Sequence, residues 1–153
     1  MLLVAALLIA QSVSPQETMP RPRPMPLPPV ARWSATTFEA AATPENQAWL
    51  KKGRAVTLTG EVVDLSCYLQ LGKKGEGHKA CGAKCVANGE PAGLLTKEGK
   101  VYMLLAEQHH PRRDGQVSLA KEMADQMGQT ITVSGMLMKN GGIPTLYIQA
   151  PAK

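Results

Sequence analysis

The chain has 153 residues, 44% of them hydrophobic, enough for one domain with its own core plus a tail. Aromatic residues make up only 4%, so aliphatic and methionine side chains must fill that core, and a stacking platform for single-stranded nucleic acid is not expected. The net charge of +5 is mild: it suits solubility, an acidic partner or the negative face of a membrane.

Residues 1–10 are a continuous apolar run without a charged side chain. The run falls short of the roughly 20 residues a membrane-spanning helix needs, so no transmembrane segment is expected. It suits the apolar core of a secretory signal peptide covering residues 1–14, with small residues near Ala10 and Ser12 for cleavage, although no Lys or Arg precedes it. The chain is therefore expected to be periplasmic or secreted. Residues 15–32 contain PQETMPRPRPMPLPP, an extended proline-rich spacer. Residues 33–54 read as a flap. Thr43 caps a helix that Pro44 opens and Gly53 follows, and Trp33, Phe38 and Trp49 are available to pack on the main domain.

The main domain is expected over residues 55–150. Val56, Leu58, Val62 and Val63 mark a long first strand, with Gly60 allowing a bend or bulge. A Gly- and Lys-rich loop follows, then a short helix over residues 78–88. A strand at Leu94 and Leu95 is joined by the KEGK turn to a strand over residues 101–105. Past the polar loop EQHHPRRDGQ, the apolar residues Val117, Leu119, Met123 and Met127 recur at near-helical spacing before Gly128. Residues 130–138 alternate as a strand, Asn140-Gly141-Gly142 turns, and residues 143–148 return.

These elements predict a mainly β fold: a five-stranded OB-like barrel, with a helix between strands 3 and 4 and a short Cys/His helix inserted after strand 1. With its TGEVVD opening and its ITVSGMLM strand, the order resembles the small exported OB-fold domains of bacteria. The resemblance implies a fold and a compartment, and no activity.

Chemistry is concentrated in the run CYLQLGKKGEGHKACGAKC. It holds all three cysteines of the chain, Cys67, Cys81 and Cys85, together with His78. Cys81 and Cys85 are four apart and share a helix face, and Cys67 is expected at the end of the first strand, brought back by a loop. Three readings stay open. A Cys3His set of Cys67, His78, Cys81 and Cys85 would bind zinc, and its thiolates would also hold copper(I). On one regular helix His78 and Cys85 would stand roughly 10 Å apart along the axis. Metal–ligand bonds are only about 2.0–2.3 Å, so such a site requires His78 to lie ahead of the helix.

Alternatively, Cys67 forms a disulfide with Cys81 or Cys85, as is usual in an exported chain. That leaves one thiol, which His78, Lys79, Lys84 and a helix N-terminus would activate for redox or metal-relay work. In the third reading the residues at 78, 81 and 85 are a core-facing stripe and the cysteines are small hydrophobes.

His109 and His110 are further candidate ligands if their loop faces the insertion. Glu107 and Asp114 show no paired acid–base spacing. Met136 and Met138 alternate on one strand face, as core filler or as copper thioethers. No C-x-x-C-H, G-x-S-x-G, P-loop or dinucleotide fingerprint occurs. The sequence thus predicts a non-enzymatic, metal-binding domain with zinc or copper as its ion, no nucleic acid, and a protein or membrane-associated partner; the alternative is a disulfide-stabilised interaction domain.

Overall fold

The computed structural model of the chain describes residues 31–108 and 119–149. The leader, residues 15–30 of the proline-rich spacer, His109, His110 and Asp114 lie outside these residues.

Five strands form a closed barrel: β1 (Arg54–Asp64), β2 (Ala92–Leu95), β3 (Val101–Ala106), β4 (Thr130–Asn140) and β5 (Ile143–Ile148). They run around it in the order β1-β2-β3-β5-β4, antiparallel except for the parallel pair β3–β5, which is an OB-like arrangement. β1 is long enough to serve two neighbours. Residues 54–61 pair with β4, and residues 61–64 with β2. Both registers run uninterrupted, so Gly60 is not a bulge. Its lack of a side chain answers a close approach, because a Cβ there would lie 2.6 Å from the Leu95 carbonyl oxygen.

Alternation along the strands fills the barrel. Val62, Leu94, Leu104, Leu137, Leu146 and Ile148 meet inside it with Val56, Leu58 and Val133. Full burial of each such aliphatic side chain stabilises by about 1.5–3 kcal/mol. On the opposite face of β1 and β4, Thr57 bonds Ser134 at 2.6 Å and Thr59 bonds Thr132 at 2.7 Å across the strands.

Two helices precede the barrel: α1 (Ala35–Ala40) and α2 (Pro44–Leu50). Ser34 caps α1, and the Thr43 hydroxyl accepts the Asn46 N–H to cap α2, with Pro44 at its first turn. Trp33 holds this segment down. Its indole N–H donates to the Leu50 carbonyl at 3.0 Å, and its ring meets Tyr147 edge-on at 5.5 Å. Phe38 and Trp49 are half exposed, so of the three aromatic anchors expected, Trp33 carries the packing.

Between β1 and β2 lie α3 (Leu65–Leu71), a 3-10 turn (Glu76–His78) and α4 (Lys79–Ala87), and α5 (Ala120–Asp125) precedes β4. Met123 and Met127, in and just after α5, join Val86 of α4 at the end of the barrel core. Helix α3 covers the outside of the barrel instead: Leu65 and Tyr68 pack with Val63, Leu95, Val101 and Met103. Leu65 fits there because β2 carries Gly93, where a Cβ would fall 2.8 Å from the Leu65 Cγ. Among the described residues no helix is long and apolar enough to cross a membrane.

Candidate metal centre

The site is built where β1 stops. Asp64, its last residue, turns its side chain into the next segment. Its Oδ1 accepts the backbone N–H groups of Ser66 at 3.0 Å and Cys67 at 3.4 Å, and α3 starts there. Asp64 therefore caps the helix that carries Cys67. Gly72, at φ +66°, ends that helix in the left-handed conformation, and its N–H returns to the Tyr68 carbonyl at 2.8 Å. Cys67 thus lies in the first turn of a helix, not at the end of a strand as the sequence suggests.

The chain then crosses back. The Gly75 N–H donates to the Glu61 carboxylate on β1, which pins the glycine-rich loop to the barrel. The 3-10 turn brings His78 to the residue immediately before α4. Gly82 and Val86, one turn apart, are the buried stripe of α4. A Cβ at Gly82 would lie 3.0 Å from the Met127 Sδ and 3.4 Å from the Asp64 Cβ, so glycine lets α4 descend onto Asp64. Cys81 and Cys85 flank this stripe on the neighbouring face. Cys85 is half-buried, and Cys81 is exposed.

One ligand atom each from Asp64, Cys67 and Cys85 lie within 4.8 Å of one another, a group that could hold a metal ion. His78 adjoins it: its Nε2 stands 4.0 Å from the Asp64 Oδ2, with the two side chains 12% and 0% exposed. Neither of these two buried atoms has a hydrogen-bond partner. Leaving a buried polar atom unsatisfied costs about 1–3 kcal/mol, so two side by side call for an explanation. Ligand atoms around a tetrahedral zinc stand about 3.5 Å apart, so the group of Asp64, Cys67 and Cys85 would need to contract by only about an ångström.

Burial and the Asp64 carboxylate hold the Cys67 and Cys85 thiols in their protonated form. Hydrogen bonding to the Asp64 carboxylate, then partial burial and the Asp64 charge, push the Cys67 thiol up to about 11 from its ordinary 9.0. Burial first, then the negative charge of Asp64, raise Cys85 as well. The activated thiol expected from nearby lysines is therefore not found at Cys67 or Cys85. A buried carboxylate among the sulfurs outweighs lysines whose charges face solvent. All three cysteines are free thiols in this structure.

The four residues singled out by the sequence separate into roles. Cys67 and Cys85 come together, His78 sits ahead of α4 facing Asp64, and Cys81 stands at the exposed rim beside Cys85. Asp64 was not foreseen as a ligand. Only its capping role has a local signal: an acid that directly ends an apolar strand, three residues before Cys67, in the pattern of a helix cap. Met138 does not approach as a thioether ligand to this cluster; it lines a cleft beneath α1 and α2, with its Sδ 3.1 Å from where a Gly53 Cβ would stand. Compared with known protein families, characterised proteins and solved structures, the chain matches none.

Proposed function

We propose that the protein is an exported, non-enzymatic barrel domain that binds one zinc ion through Asp64, Cys67, Cys85 and His78. The observation that carries this reading is the pair of buried, unpartnered atoms, Asp64 Oδ2 and His78 Nε2, beside two thiols. A cation among them would satisfy both and would stabilise the deprotonated thiols. The mixed oxygen, nitrogen and sulfur donors favour zinc over copper(I), which prefers an all-sulfur environment. Asp64 already positions Cys67 through its other oxygen, so fold and ligand geometry are set by one side chain.

Export rests on the uncharged apolar run at residues 1–10. In an oxidising compartment, ligation would also protect the thiols. The deciding experiment is elemental analysis of the full chain purified without reductant or chelator, followed by zinc titration of the stripped protein. One zinc per chain is expected; absence of zinc together with no uptake on titration overturns the reading.

The disulfide-stabilised interaction domain remains the second reading, favoured by the sulfurs of Cys67 and Cys85 lying within 4.8 Å. Intact mass before and after alkylation separates the two. Three alkylatable thiols after metal removal support zinc, whereas a single alkylatable thiol and the loss of two hydrogens support the disulfide.

A further inference from the structure

A second site, remote from the cysteines in sequence, lies between the N-terminal helices and the barrel. A cleft of about 460 Å³ is walled by Trp33, Trp49, Leu105, Met138 and Tyr147. Glu107 also lines it, directly after β3. This glutamate is 2% exposed. Its Oε1 accepts the Ser34 N–H at 2.6 Å, and its backbone carbonyl accepts the Thr37 hydroxyl at 2.7 Å. Its Oε2 is buried with no hydrogen-bond partner, and among the described residues no Lys, Arg or His forms an ion pair with it.

Fixing the flap to the barrel requires only one carboxylate oxygen and the backbone carbonyl. An amide or a hydroxyl would serve the Ser34 N–H equally well, without burying a charge. The second oxygen is therefore unexplained by the fold. The residue that carries it lines a cleft of small-ligand size whose remaining walls are mainly apolar and aromatic. Such walls suit the body of a small organic molecule, and an acceptor without a donor suits an N–H-bearing cation at one end of it. The aromatic rings add a favourable field for positive charge. Trp49 shows this already, with the Lys52 ammonium 3.6 Å from its ring centroid.

We propose that this cleft binds a small primary ammonium compound with an apolar or aromatic body, its N–H groups donating to Glu107 Oε2 and its body lying against Trp33, Trp49 and Tyr147. The site is independent of the zinc centre and would operate whether or not that centre is loaded.

The chain provides its own reporter, because its two tryptophans are Trp33 and Trp49, and both line the cleft. Tryptophan emission of the full chain is titrated with 2-phenylethylamine near neutral pH, in parallel with the neutral isostere 2-phenylethanol. Saturable binding with Kd about 1 mM or tighter is expected for the amine. The alcohol is expected to bind at least about tenfold more weakly, since it lacks the charge-assisted bond. Glu107→Gln keeps an acceptor for the Ser34 N–H and removes the charge, so it should bring amine affinity down to that of the alcohol. Trp49→Ala, at a half-exposed position, should weaken amine binding a few-fold without unfolding the chain. Absence of saturable binding by the amine overturns the proposal. So does equal affinity for amine and alcohol on the unmutated chain, a result that needs no variant to fold.

Discussion

Asp64 and His78 face each other across the end of β1, with Oδ2 and Nε2 4.0 Å apart and neither atom hydrogen-bonded. The opposite oxygen of the same carboxylate caps α3, so structural and ligand roles are divided between the two oxygens of one residue. Asp64→Asn and Asp64→Ala pull these roles apart. Asparagine retains the cap and loses the anionic ligand. It should lower zinc affinity by about 10–100-fold while leaving the metal-free fold nearly as stable. Alanine loses both, and should additionally destabilise the metal-free protein by about 1 kcal/mol or more. Competition with a chromophoric chelator measures the first effect, and urea unfolding the second. Zinc affinity that is unchanged in Asp64→Asn would remove Asp64 from the ligand set.

The same geometry ranks the cysteines. Cys67 and Cys85 share a 4.8 Å group with Asp64, whereas Cys81 stands outside it in solvent. Cys67→Ser and Cys85→Ser should each weaken zinc binding by more than about 100-fold, and Cys81→Ser by about tenfold or less. In the stripped protein, alkylation followed by peptide mass mapping should modify Cys81 first and Cys67 last, since Cys67 is held up to about 11 and so carries little thiolate at neutral pH. Saturating zinc should protect Cys67 and Cys85 completely. Equal loss of affinity in all three serine variants would restore the Cys3His set that the sequence suggests.

How much of this was legible beforehand depends on whether the signal is local. The barrel strands were legible, because alternation at Val56, Leu58 and Val62, and the turns at Gly99, Gly141 and Gly142, are written in neighbouring residues. Helix α3 was not. Its LSCYLQL segment shows no clear amphipathic pattern: Leu69 and Leu71 are exposed beside Gln70, while Leu65 is buried on the outside of the barrel. The usable clues were its ends, Asp64 as cap and Gly72 as stop. The ligand role of Asp64 depends on α4 returning across it over Gly82, a contact between distant parts of the chain that no short window contains. The same holds for Glu107, whose partners Ser34 and Thr37 lie about seventy residues away.

A pH dependence follows from Cys67 with a definite sign. Its thiol pKa is about 11 in the folded protein against an ordinary 9.0, so the folded state holds the proton more tightly than the unfolded chain. The resulting stability is fully present below pH 9.0 and is lost as pH rises toward about 11. Thermal unfolding of the stripped protein should show Tm falling across that window. Cys67→Ser should flatten the fall. It should not abolish it, because Cys85 is shifted in the same direction. A Tm that rises with pH over this range, or identical profiles for the two proteins, would show that the thiol–carboxylate contact contributes nothing.

The packing of α3 and α4 rests on two glycines whose substitutions should behave differently. At Gly93 a Cβ would lie 2.8 Å from the Leu65 Cγ and 3.3 Å from the Tyr102 carbonyl oxygen, with strand backbone on one side and the anchor of α3 on the other. Gly93→Ala should therefore destabilise the protein by about 1–3 kcal/mol, as overpacking of a closed site does. It should also weaken zinc binding, because displacing Leu65 shifts the helix that carries Cys67. At Gly82 the nearest atom is the Met127 Sδ at 3.0 Å, part of a flexible side chain, and the position is inside a helix. Alanine there gains up to about 1 kcal/mol of helix propensity, which offsets the crowding, so stability should change little. Zinc affinity should still fall, since the methyl group crowds Met127 at 3.0–3.2 Å and relieving this shifts α4, which packs directly on Asp64. Urea unfolding and zinc titration on both variants read these outcomes directly. Wild-type stability in Gly93→Ala would mean that Leu65 does not fix α3 against β2, and unaltered zinc affinity in Gly82→Ala would mean that the descent of α4 does not set the ligand spacing.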